Sequence, residues 1–197
     1  AKAEPRPRNP MQHRPEIDGL RAVAILPVVL FHAGVTAFSG GYVGVDVFFV
    51  ISGFLIAGLI KEDLEAGRFS ILGFYNRRVR RILPALVFTA LLTAVAAFAW
   101  LLPSFLVDFS KSLVSVSTFV SNFYFWKASG YFENSALLRP MLHTWSLAVE
   151  EQFYIFMPLA AYAVFRFLGK RWLLIFGAAA FASLGLSIYA TQVGPTA

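Results

Sequence analysis

The residues with the clearest chemical potential are Arg21 and His32, in the run DGLRAVAILPVVLFHAG. They stand eleven positions apart (32 − 21). On an α-helix that is three turns plus roughly 20°, so both project from one face, ~16 Å apart along the axis. An imidazole is the side chain whose ordinary pKa permits charge change near neutral pH. Abstracting a proton from a sugar hydroxyl as it attacks a thioester needs such a base. The structural alternative for His32 is a hydrogen bond between helices. Ionisable groups at membrane depth are costly and point to function. The pair therefore reads as the seed of an acyl-transfer site.

Two carboxylates, Glu150 and Glu151, stand in the otherwise apolar HTWSLAVEEQFY. His143 and Glu150 are seven apart and share a face if the helix begins that early. One carboxylate is expected to orient His32 or to bind an acceptor hydroxyl. The alternative is one packing hydrogen bond and one interfacial position. Asp46, in YVGVDVFFVISGFLIAGLI, is expected to be buried, with His32 an easier partner than Arg21. Asp18 opens the Arg21 run. Ser52 belongs with Gly44, Gly53 and Gly58, small residues that permit close helix approach. The segment FYNRRVRRILP holds Arg77, Arg78, Arg80 and Arg81. They read either as an anchor that snorkels to lipid phosphates or as an anion platform, since guanidinium forks match phosphate oxygens in pairs.

The elements that must position these groups are membrane helices. The 197 residues are 58% hydrophobic and only 14% charged, against about 25% charged in soluble domains. Mean hydropathy is +0.66. The net charge of +6 is no nucleic-acid signal, because the basic residues cluster beside apolar runs in the positive-inside pattern. With no cysteine, a disulfide framework and a cysteine thioester are excluded. The histidines are His13, His32 and His143, and no metal-ligand spacing appears. The fold class is all-α, a polytopic transmembrane bundle.

Residues 1–16 read as a disordered cytoplasmic tail and 17–197 as the membrane domain. Spans are expected at Gly19–Phe38, Tyr42–Ile60, Ile82–Leu102, Thr144–Phe167 and Trp172–Ala190. Pro27 should loosen the first just before His32. Residues 61–81 read as a cytoplasmic loop ending in the arginine cluster. Pro103–Trp126 is ambiguous: it could span, dip and return, or lie at the surface. Charge places the start of the third span and the end of the fifth on the cytoplasmic side. An odd crossing between them conflicts with that parity, but a sixth span is nevertheless favoured here. The count is five or six.

These blocks, DGLRAVAILPVVLFHAG, GGYVGVDVFFVISGFLI, FYNRRVRRILPAL, SNFYFW…YF and LHTWSLAVEEQFYIFMP, resemble in their order the bacterial membrane-bound acyltransferase family 3. The resemblance covers about Pro15–Pro158. It implies a membrane enzyme that moves an acyl group, by default acetyl, from cytoplasmic acyl-CoA to a hydroxyl of a surface polysaccharide, such as lipopolysaccharide O-antigen or peptidoglycan, or of a lipid-linked saccharide. Acetyl-CoA enters as donor substrate; no bound cofactor or metal is implied. The family's Arg-or-Lys, ten residues, His pattern falls on Arg21 and His32. Its Arg-x-x-Arg motif falls on Arg78 to Arg81, or one residue earlier on Arg77 to Arg80. Its glutamate falls on Glu150. Family members have about ten spans, so the chain is expected to be an N-terminal part, set in the bacterial inner membrane with its N-terminus cytoplasmic. Two other classes compete: a transporter with a proton path through Asp46, His32 and Glu150, and an inactive or regulatory protein of the same fold.

Overall fold

The computed structural model describes residues 15–129, 138–169 and 172–193. They form helices α1 (Pro15–His32), α2 (Gly44–Glu65), α3 (Ile71–Trp100), α4 (Pro103–Ser117), α5 (Ser121–Ser129), α6 (Thr144–Leu168) and α7 (Trp172–Val193), with two short 3-10 turns between α1 and α2. Among the described residues there is no strand. The all-α reading stands. Three segments combine the length and apolarity to cross a membrane: Gly41–Glu65, Ile71–Trp100 and Leu174–Val193. Helices α1 and α6 have spanning length, but charge dilutes their apolar character. Helix α1 carries Glu16, Asp18 and Arg21, and α6 carries Glu150, Glu151 and Arg166.

The chain divides into two compact units, 1–57 and 58–197. In the first, α1 runs unbroken through Pro27. It takes in Pro15 and Glu16, expected in the tail; residues 1–14 lie outside the described residues. Proline suits a first helical turn, where its missing N–H would be unpaired anyway. The turn Gly41–Val43 packs against α1, and Gly44 at the start of α2 abuts the Ala24 backbone.

The second unit begins in the last turns of α2. Helix α2 ends on Gly67, whose φ of +66° suits glycine. There Gly67 N–H donates to the Leu64 carbonyl and Arg68 N–H to that of Asp63. Helix α3 then starts at Ile71, not at Ile82 as expected. Ser70 caps it, its hydroxyl accepting from Gly73 N–H at 3.1 Å. The arginine cluster therefore lies inside a helix rather than in a loop.

Helix α6 runs antiparallel to α3. Phe69 stacks on Tyr162 at 6.1 Å, the Tyr75 hydroxyl donates to the Ile155 carbonyl at 2.7 Å, and Arg78 lies over Tyr154. The partners descend in number on α6 as they rise on α3. Between them, α4 and α5 pack on each other, with the Tyr124 hydroxyl donating back to the Asp108 carbonyl. At 15 and 9 residues these helices reach ~22 and ~13 Å, short of a ~30 Å hydrocarbon core. The favoured sixth span is thus corrected to a helical hairpin that turns back. That removes the parity conflict, since α3 and α6 need no odd crossing between them. The packed core of this unit joins α3, α4 and α5 through Leu86, Ala97, Phe109, Val116 and Phe125, with Met141 before α6 and Leu147 on α6 packed against it.

Candidate functional site

In the first unit, His32 is the last residue of α1 and is exposed. Its Nδ1 lies 2.8 Å from the Val28 carbonyl oxygen. A carbonyl only accepts, so Nδ1 carries the proton and donates. In the neutral ring this puts the free lone pair on Nε2, the tautomer a general base requires. The ring also meets Phe31 edge-on at 5.2 Å. One face of α1 carries Arg21 further back, its guanidinium 4.8 Å above the Phe48 ring. That contact ties Arg21 to α2 by a cation–π interaction.

Asp46 departs from expectation. It is exposed, in the first turn of α2, and neither a hydrogen bond nor an ion pair joins it to His32. A carboxylate there complements the partial positive charge of a helix N-terminus without any basic partner. Asp18 is exposed; Ser52 is buried with its hydroxyl unpartnered. Of the small residues, Gly44 does permit close approach, whereas Gly53 and Gly58 face open space.

In the second unit the four arginines separate by helical angle. Arg77 leans toward Asp63, 3.8 Å away. That carboxylate also accepts from Arg68 Nε at 2.8 Å, and Arg68 reaches Glu62 at 2.6 Å. The two carboxylates, Asp63 foremost through its hydrogen bond, hold the Arg68 guanidinium above its already high ordinary pKa. Arg80 is exposed. Arg78 is half-buried and lies over the rings of Phe74, at 5.6 Å, and Tyr154, at 5.4 Å. Phe74 is wholly buried.

Glu150 is half-buried and accepts a short hydrogen bond from the Tyr154 hydroxyl, one turn on. Glu151 is 7% exposed, with Oε1 unpartnered, as is Arg78 Nε. An acidic and a basic side chain are thus both held with unused hydrogen-bonding capacity. Arg78 and Glu150 lie at a common level of the α3–α6 pair, whereas the sequence reading set the arginines at a rim and the glutamate within the membrane.

Arg81 and His143 share a cavity. With Ile82, Ala85, Leu86, Thr89, Thr144 and Leu147 they line an open cavity of about 310 Å³. His143 precedes α6 as its N-cap residue and is exposed. The α6 start is secured by α5, where the Ser121 hydroxyl donates to the Thr144 carbonyl at 2.9 Å. Further along, Gln152 Nε2 donates to the Phe119 carbonyl at 2.8 Å and to Asn122 Oδ1 at 3.0 Å.

Sequence reasoning missed Tyr154 and Phe74. The available signal was spacing: Tyr154 is four residues after Glu150, and Phe74 four before Arg78, so each pair shares a helix face.

Helices long and apolar enough to cross a membrane, with charged side chains such as Arg77 and Asp63 set near one another, define the class of integral-membrane proteins. The comparisons narrow this class. An acyltransferase domain family matches residues 14–197. The chain belongs to this membrane-bound acyltransferase family. It is 38% identical over 184 residues to "Putative O-acetyltransferase SAS0844" of Staphylococcus aureus strain MSSA476, covering 91% of this chain and 30% of that protein. It is 34% identical over 180 residues to "O-acetyltransferase OatA" of S. aureus strain NCTC 8325 / PS 47, covering 90% of this chain and 30% of the relative. The chain thus spans about a third of the length of these relatives. No solved structure matches it.

Proposed function

We propose that this domain serves a membrane O-acyltransferase. It moves an acyl group, by default acetyl, from cytoplasmic acyl-CoA to a hydroxyl of a cell-surface glycan or lipid-linked saccharide. It does so in the bacterial inner membrane, with its N-terminus cytoplasmic. The observation that carries the reading is the His32 Nδ1–H to Val28 hydrogen bond, which leaves Nε2 as a base. The acceptor oxygen attacks the thioester carbonyl carbon. A C–O bond forms, the C–S bond breaks, and the hydroxyl proton passes to His32 Nε2 and on to the departing CoA thiolate. Arg78 and Arg81 grip the donor's phosphates in this reading, with Arg77 and Arg80 adding to the positive field. Arg21 supports the donor from α1. Glu150 orients the acceptor hydroxyl, and Glu151 and His143 are supporting groups. The basic cluster at the start of α3 favours a cytoplasmic position for that end.

The test is acetyl transfer from labelled acetyl-CoA to membrane glycan by the full-length protein carrying His32→Ala. Transfer should fall by at least about 100-fold, the usual worth of a general base, with membrane insertion unchanged. Transfer at the unmutated rate would overturn the reading.

A further inference from the structure

Tyr154 takes part in two contacts on the α3–α6 pair. Its hydroxyl donates to the Glu150 carboxylate, and its ring lies 5.4 Å beneath the Arg78 guanidinium. Its side chain is buried, at 5% exposure, so neither contact is an accident of a mobile surface group. The Phe74 ring also lies 5.6 Å from the Arg78 guanidinium. We infer that Tyr154 is a positioning residue that holds the Arg78 guanidinium and the Glu150 carboxylate in one fixed relation. The inference rests on the acyl-CoA reading, in which Arg78 binds donor and Glu150 orients the acceptor. Its ring acts on donor binding through Arg78; its hydroxyl acts on turnover through Glu150. The two halves of the residue can therefore be removed separately.

The experiment is steady-state acetyl-CoA kinetics on the full-length protein in membranes, normalised to inserted protein. Tyr154→Phe keeps the ring and removes the hydroxyl. It should lower kcat by about tenfold, the worth of one hydrogen bond to a charged group. Donor KM should stay within about twofold. Tyr154→Leu removes both contacts, and donor KM should also rise, by about threefold or more. Glu150→Gln, which preserves volume, should lower kcat at least as far with donor KM unchanged. Adding Tyr154→Phe to Glu150→Gln should cost nothing further, because the hydroxyl acts only through that carboxylate.

An unchanged kcat in Tyr154→Phe overturns the inference, as does a full additional tenfold loss in the double variant. So does an equal donor KM in the Phe and Leu variants. Absence of acetyl-CoA-dependent transfer by the unmutated protein would overturn the donor reading itself, and this inference with it.

Discussion

The α-carbon of Gly41 is pressed against the backbone of Pro27: a β-carbon there would stand 2.1 Å from the Pro27 carbonyl oxygen. Gly44 repeats the relation one turn on, 2.1 Å from the Ala24 carbonyl oxygen. The obstructing atoms are helix backbone, which cannot swing aside as a side chain would. Gly41→Ala and Gly44→Ala should each destabilise the first unit by ~1–3 kcal/mol or more, the range for overpacking. Gly53→Ala and Gly58→Ala, where a β-carbon meets nothing within 4 Å, should be neutral or stabilising through helix propensity. Thermal unfolding in detergent separates the two pairs.

The Arg78 guanidinium lies over two aromatic rings, those of Phe74 and Tyr154. Lysine carries the same charge, but as a compact and strongly hydrated point that does not stack or fork. Arg78→Lys should therefore raise donor KM by about three- to tenfold despite the retained charge. Arg80→Lys, at an exposed position, should change it little. Acetyl-CoA titration of the two variants checks the contrast.

The antiparallel α3–α6 pairing places the arginines and the glutamates at one depth. The chain has no cysteine, so an introduced one is a unique labelling site. Spin labels at Val79 and Phe153, which flank the Arg78–Tyr154 contact on exposed faces, should report immersion depths equal to within about one helical turn, ~5 Å. A label at Val79 in the headgroups with one at Phe153 in the hydrocarbon would restore the rim-and-interior arrangement.

Gln152 donates to the Phe119 carbonyl and pairs with Asn122, fastening the α4–α5 hairpin to α6. Gln152→Glu turns the donor into a carboxylate oxygen facing a carbonyl. It should destabilise the second unit by ~1–3 kcal/mol, the penalty for an unsatisfied buried group. Gln152→Ala should cost less, since it introduces no new charge. The midpoints of thermal unfolding of both variants test the order.

Apolar content, low charge and the ordered motif blocks were enough to read an all-α membrane protein and its family, because lipid admits few spanning structures and hydropathy registers them directly. The candidate residues were legible for a similar reason: charged groups stand out in an apolar chain. Partnership was not legible. Asp46 reads as an easier partner for His32 than for Arg21, but it stands exposed at a helix start, where the partial positive charge of the helix N-terminus complements a carboxylate. Pro103–Trp126 is apolar enough to suggest a span, yet Thr118–Val120 breaks it into two short helices. Only the tertiary fold decided that α3 begins at Ser70's cap, that α6 runs back along it, and that Tyr154 lies between Arg78 and Glu150. Those relations depend on which faces of separate helices meet, and periodicity along one helix carries no information about its partner.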